Sequence, residues 1–158
     1  MNRQVGIAVL ASITILIIVA TVQPLLPVRE EKFSELGVLG PNQTIGGYPV
    51  RVVVNQSFLL YGFVGNHEGM VENYRLLVKL GNQSTPVTNA TYAVAPVLAT
   101  YWRIIDANQN WLFPMNLTIS RSGINTKLIF ELWSYNLSTS IFAYKGLWNQ
   151  ILMNVTLT

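Results

Sequence analysis

The sequence predicts an all-β, immunoglobulin-like antiparallel β-sandwich preceded by a single N-terminal transmembrane helix. Three observations carry that expectation. From Leu36 onward apolar residues recur at every second position, not at helical spacing. Short clusters of Gly, Asn and Pro separate the alternating runs. Ahead of them, Val5 to Val22 reads VGIAVLASITILIIVATV, eighteen residues without a charge.

As a helix, that run would cover roughly 27 Å at about 1.5 Å per residue, close to the thickness of a bilayer's hydrocarbon core. The alternative is a cleaved signal peptide, whose apolar region is usually about 7–15 residues and ends in a small-X-small site. This run is longer, and Ile18 occupies the −3 position relative to a cut at Ala20, so a retained signal anchor is expected. Pro24 and Pro27 end the helix and stiffen the chain beyond it. The expected organisation is a cytoplasmic tip and anchor over 1–23, a connector over 24–33 and an extracytoplasmic sandwich over 34–158.

Within the domain, Tyr74, Leu76, Val78 and Leu80 share one face opposite Arg75, Leu77 and Lys79. Met115, Leu117 and Ile119 alternate with Asn116, Thr118 and Ser120. Leu128, Phe130 and Leu132 alternate with Lys127, Ile129 and Glu131, and Met153, Val155 and Leu157 with Asn154, Thr156 and Thr158. Such patterns describe half-buried strands. Turns are expected at Gly40-Pro41-Asn42, Gly46-Gly47, Gly65 to Gly69, Gly81-Asn82, Asn108 to Asn110 and Ser122-Gly123. Seven or eight strands at this spacing fit a sandwich of immunoglobulin type.

Seven Asn-X-Ser/Thr triplets, at Asn42, Asn55, Asn82, Asn89, Asn116, Asn136 and Asn154, lie beyond the apolar run. None has Pro in the middle, and chance predicts roughly two in a chain of this composition. They are expected acceptors of N-linked glycans, and they set the orientation: N-terminus cytoplasmic, domain extracellular, a single pass through the cell membrane. On a strand the Asn and the Ser/Thr of one triplet share a face. Leu117, Leu137 and Val155, the apolar middle residues of three triplets, are therefore expected to point inward. The triplets with Gln in the middle, at Asn42, Asn55 and Asn82, are expected beside turns.

Composition bounds the chemistry. Only 11% of residues are charged and 51% are apolar, too apolar for a disordered chain. The net charge of +3 reflects few acids, and basic residues are scattered singly, so no nucleic-acid partner is expected. There is no cysteine, which removes thiol catalysis and Cys-based metal sites. His67, the single histidine, sits beside Glu68, and such a pair could serve as acid and base or bind a metal, yet adjacent residues on a strand point apart and no second His or Cys exists to complete a ligand set. Asn66 and Gly69 are expected to form a hairpin corner there, with His67 or Glu68 tying down backbone groups. Glu131 on an outer strand face and Asp106 beside a turn read as solvated carboxylates. Trp102, Trp111, Trp133 and Trp148 read as sandwich core, with a carbohydrate platform as the alternative. No catalytic, cofactor-binding or metal-binding residue is assigned, and no cofactor is expected.

The segment from Phe33 to Pro41 (FSELGVLGP), then Gly47-Tyr48-Pro49, Gly65-Asn66-His67-Glu68-Gly69 and Asn73-Tyr74, resembles one family. It is similar to the extracytoplasmic domain of archaeal membrane proteins classed as domain of unknown function 1616. Lys127 to Trp133 and Leu152 to Leu157 are similar to that family's last two strands. Longer members carry several spans before the domain, whereas this sequence offers one. The resemblance implies topology and fold, and no reaction.

The functional expectation is non-enzymatic: an anchored, glycosylated structural or accessory subunit of an archaeal cell-envelope or membrane complex. Its expected partners are the membrane and other membrane or envelope subunits. A pilin-like filament subunit is one alternative, weakened by the absence of a charge directly before Gly6 and by Pro24 and Pro27. A surface carbohydrate-binding module or enzyme is the other.

Overall fold

The computed structural model describes residues 12–18, 20–21 and 31–157. Residues 12–18 and 20–21 are helical, and among the described residues no helix is long and apolar enough to cross a membrane. The rest of the expected anchor, and most of the connector, lie outside the described residues. The chain divides into two compact units, Met1–Glu31 and Lys32–Thr158. The second unit is the β domain.

Eight strands form it: β1 (Phe33–Leu39), β2 (Arg51–Val53), β3 (Ser57–His67), β4 (Glu72–Gly81), β5 (Val97–Ile105), β6 (Gln109–Thr118), β7 (Gly123–Asn136) and β8 (Ile141–Thr156). They make a three-stranded sheet of order β1-β3-β6 and a five-stranded sheet of order β2-β8-β7-β4-β5. All pairings are antiparallel except that of β2 with β8, which is parallel. The expectation of a purely antiparallel sandwich is corrected there. The connection through residues 40–50 carries the chain from the β1 sheet to the edge of the five-stranded one, where β2 lies beside β8 in the same direction; the crossover a parallel pair needs is supplied by all the strands between β2 and β8.

The alternation read from the sequence places the core. β6 is buried at every second residue, so that Trp111, Phe113, Met115 and Leu117 lie beside Leu60 and Val64 of the neighbouring β3 and share one core with Leu76, Phe130 and Met153 of the opposite sheet. Gly62 is needed in this layer: a Cβ there would collide with the Phe113 ring, which lies over it. Leu157, expected to continue the inward set of β8, is exposed beyond the end of the strand.

Strand register gives the sandwich a base and a tip. Phe33 pairs with His67, Asn66 with Gln109, Glu72 with Ile105 and Asn136 with Ile141, all at the base. Leu39, Ser57 with Thr118, Gly81 with Lys127, and Gly123 with Val155 lie toward the tip. The β3 strand runs on to His67, so the expected turn from Gly65 shrinks to Glu68–Met70, with Gly69 at φ +74°.

Leu60→Ala, in the fully buried layer, is expected to cost about 2–5 kcal/mol in urea unfolding, while Leu137→Ala at the exposed base turn changes stability by less than about 0.5 kcal/mol.

Candidate functional site

The outer face of the five-stranded sheet is not bare. The connection from β4 to β5, residues 82–96, folds back across it, and Val87 and Ala93 pack with Ile129 and Trp148 into a small second core. A hairpin loop is usually about 2–5 residues, so a connection of this length must rest on something. Under it, Glu131 is fully buried and Lys79 is 5% exposed, with Lys79 Nζ 2.8 Å from Glu131 Oε2. Both also hold Ala93: its N–H donates to Glu131 Oε1, and its carbonyl accepts from Lys79 Nζ at 2.7 Å. Trp133 Nε1 donates to Glu131 Oε2 at 3.2 Å, and Lys79 lies 5.0 Å from the centre of the Tyr92 ring. The expectation of a solvated Glu131 is thus overturned. Its strand phase is outward, as the alternation predicts, but a loop covers that face.

Tyr92, Trp133 and Tyr144 close over the ion pair, with centroids 5.1 Å (Tyr92–Trp133) and 5.6 Å (Trp133–Tyr144) apart. Burial, with Glu131 nearby, pushes the Tyr144 hydroxyl up to about 12. Of the four tryptophans expected in the core only Trp111 is there. Trp133 and Trp148 lie on the outer face, and Trp102 on the edge strand β5 is 69% exposed. Arg75, also outward, stacks over Phe142 at 4.1 Å; its Nε and the neighbouring Asn73 Oδ1 are buried without a partner among the described residues.

A second polar cluster ties the base together. Asn66 is fully buried and the two hydrogens of its Nδ2 are shared among the carbonyls of Met70, Ile105 and Asp106, at 2.8, 2.8 and 3.1 Å. Its Oδ1 accepts from the Glu68 N–H at 3.1 Å and the Tyr74 hydroxyl at 3.3 Å. Asn66, not His67 or Glu68, therefore fixes the backbone at this corner. Glu68 accepts from Ser34 Oγ and Lys145 Nζ, each at 2.6 Å. Lys145 reaches it from a bulge in β8, where Leu132 pairs with Leu147 but Trp133 with Tyr144, and Gly146 takes φ +73°. His67 turns away, stacking on Phe33 at 4.6 Å and lying 3.5 Å from Glu35. Among the described residues no three His, Cys, Asp or Glu side chains gather as a metal set.

Burial pushes the Glu68 carboxyl up, but the bonds from Lys145 and Ser34 and the charges of Lys145 and Lys32 outweigh it, so its pKa is lowered. Glu72, where burial is opposed mainly by Lys145, is raised. Tyr74 is pushed to about 12 by burial, against the Ser34 bond. Burial also raises Tyr101.

The seven sequon asparagines are all at the surface, six exposed and Asn154 half-buried. Leu117 and Val155 point inward as expected, but Asn136-Leu137-Ser138 runs off the end of β7 into a turn, and Leu137 is 78% exposed. The Asn136 Oδ1 is occupied by the Ser138 and Thr139 N–H groups in that turn. Asn89 Oδ1 accepts from Trp148 Nε1 at 3.1 Å, which fixes its amide on the outer face.

Two facing sheets with one shared core define a β-sandwich domain. The chain belongs to the family described as Domain of unknown function (DUF1616), which matches residues 27–141. Among curated proteins none matches the sequence. A CARDB domain from Pyrococcus furiosus, crystallised in complex with di-metal ions, is similar over 84% of this chain and 100% of that one, at 13% identity and a TM-score of 0.50. A β-glucosidase from Listeria innocua in complex with glucose aligns over 79% of this chain but 16% of its own, at 11% identity and a TM-score of 0.47. The sporulation control protein Spo0M from Bacillus subtilis aligns over 78% of this chain and 49% of its own, at 6% identity and a TM-score of 0.43. The CARDB likeness is one of fold alone.

The polar clusters lead to two expected outcomes. Glu131→Leu leaves Lys79 buried without its counter-charge, and unfolding is expected to become easier by about 3–5 kcal/mol. Adding Lys79→Met recovers only part of this, because the Ala93 N–H and carbonyl stay unpaired; faster hydrogen exchange at Ala93 in both variants checks it. The second concerns pH. Glu68, lowered on folding, stabilises above its ordinary 4.5 and loses that contribution as pH falls through the folded value. Glu72, raised on folding, opposes folding once ionised. Glu68→Gln should therefore lower Tm at pH 7 and Glu72→Gln raise it, both effects fading well below pH 4.5 in thermal melts.

Proposed function

We propose that this protein is a membrane-anchored, N-glycosylated extracytoplasmic domain of immunoglobulin-like type. It serves as a non-enzymatic structural or accessory subunit of an archaeal cell-envelope or membrane complex. The observation that carries the reading is the sequon set: seven triplets in one chain, each with its asparagine at the surface of the folded domain. Support for the anchor comes from the helical stretch, where Ile13, Ile15, Leu16, Ile17 and Ile18 are all about half exposed or more. An exposed helix face this apolar is stable in lipid and costly in water. Support for a structural role comes from the ionisable side chains. Lys79, Glu131, Glu68 and Lys145 are occupied in pinning backbone and joining strands.

A surface carbohydrate-binding module is the second reading. The observation that favours it is the ring surface of Trp102 and Tyr92, both on the five-stranded sheet's side of the domain and substantially exposed. Binding on a glycan array that Trp102→Ala abolishes would select it over the accessory subunit.

Glycopeptide mass spectrometry on protein from native membranes is expected to find sugar on the sequon asparagines, and native mass measurement after mild detergent extraction to find copurifying subunits. Seven unmodified asparagines, or a clean monomer, would remove the corresponding part of the reading. A mature N-terminus at Ile7 would select the pilin alternative.

A further inference from the structure

We infer that the base of the sandwich is a lipid-contact surface, lying on the outer leaflet of the membrane that holds the anchor. The inference rests on the anchored reading above and adds where the folded domain sits. Its first observation is an open cavity of about 740 Å³ at the base, lined among others by Met70, Val71, Asn73, Ile104, Tyr135 and Leu137. Met70, Val71, Ile104 and Leu137 are each more than half exposed, and so is Ile141, across the same turn from Asn136. Four different strand ends thus converge on one apolar surface, a concentration that marks a contact with an apolar partner.

The second observation is where the chain comes from. Phe33, the first residue of β1, pairs with His67 at this same end. Ten residues, 23–32, separate it from the close of the apolar run at Val22. In any conformation ten residues reach no further than about 35 Å. The chain thus enters the folded domain at its base.

The sequons supply a third, independent observation. Asn42 comes after β1 at the tip, Asn55 and Asn82 sit in tip turns, and Asn116 and Asn154 lie in the tip halves of β6 and β8. Asn89 is held at mid-height against Trp148, which pairs with Glu131. Only Asn136 is at the base. Bulky hydrated groups are concentrated away from the apolar end, as a surface resting on lipid requires. Two carboxylates at the base have partners: Glu68 is bonded to Lys145 and Ser34, and Glu35 lies 3.5 Å from His67. Glu72 lines the cavity itself, where burial raises its pKa and so favours the uncharged form, and Asp106 lies in the neighbouring hollow beside the β5–β6 turn. An interfacial surface of this kind seats its apolar side chains at the boundary of headgroups and acyl chains.

The lack of cysteine makes the test direct. Single-cysteine variants of the full chain, reconstituted in phosphatidylcholine nanodiscs, would carry an environment-sensitive fluorophore at Leu137, Ile104 or Met70 in the base, Ile124 or Ile45 at the tip, or Ile15 in the apolar run. The base labels are expected to shift to the blue and to be quenched by lipids spin-labelled near the headgroup, while the tip labels are not. If the Ile15 label is quenched but the base labels are water-like, the inference is overturned and the anchored reading stands. If neither is quenched, both fall. Base labels shielded only in native membranes, and not in nanodiscs, overturn lipid in favour of a protein partner. The inference departs from the reading above at one sequon: Asn136, at the base, is expected to be unmodified, and a glycan found there overturns it.

Discussion

The Lys79–Glu131 pair is the interaction on which the outer half of the domain depends. It does more than neutralise two charges. Each partner takes one backbone group of Ala93, so a single residue in the middle of a long loop is held from both sides. Apart from that grip, residues 82–96 are held to the sheet by Val87 and Ala93 packing, by ring contacts and by single hydrogen bonds at Thr85, Thr88, Asn89 and Pro96. A buried ion pair is seldom favourable by itself, because two charges must be stripped of water. Here the cost is offset by four further polar or ring contacts, from Ala93 twice, Trp133 and Tyr92. The result is specificity of loop placement: Tyr144 bonds Thr88, Trp148 bonds Asn89, and the bulge at Gly146 accepts the loop backbone closely.

That arrangement separates what is legible in the sequence from what is not. Alternation locates the inner faces of β4, β6, β7 and β8 because one sheet face meets the core and period two is a local property. Leu117 and Val155 obey that logic and point inward. Leu137 does not, since strand β7 ends one residue before it and the pleat no longer applies. Glu131 departs from expectation for a different reason. Its outward phase is correct, but whether an outward face is wet depends on the 82–96 loop, far upstream in the chain, and no local pattern reports that. The clue lies in the length of that connection.

The tryptophans teach the same lesson about size. A large ring is counted as core by default, yet three of four lie on the outer side of the five-stranded sheet or at its edge. Trp133 and Trp148 carry N–H groups that need acceptors, and Glu131 and Asn89 supply them outside the core. Trp111 sits inside, stacked on Phe113 at 3.8 Å. Likewise Asn66 reads as a turn former, and its role as a hub appears only when Met70, Ile105 and Asp106 converge on it.

The short parallel pairing of β2 with β8 has a mechanical meaning. The Asn154 N–H donates to the Val50 carbonyl, and the Val54 N–H to that of Thr156, so the pair is bonded on both sides of its three-residue register. Tension drawing the N-terminal segment toward the base and the C-terminal strand toward the tip would slide these two strands past each other. In that geometry the bonds share the load together and do not open one after another. Pulled along the strands in this way, the β2–β8 pair would resist as a shear lock.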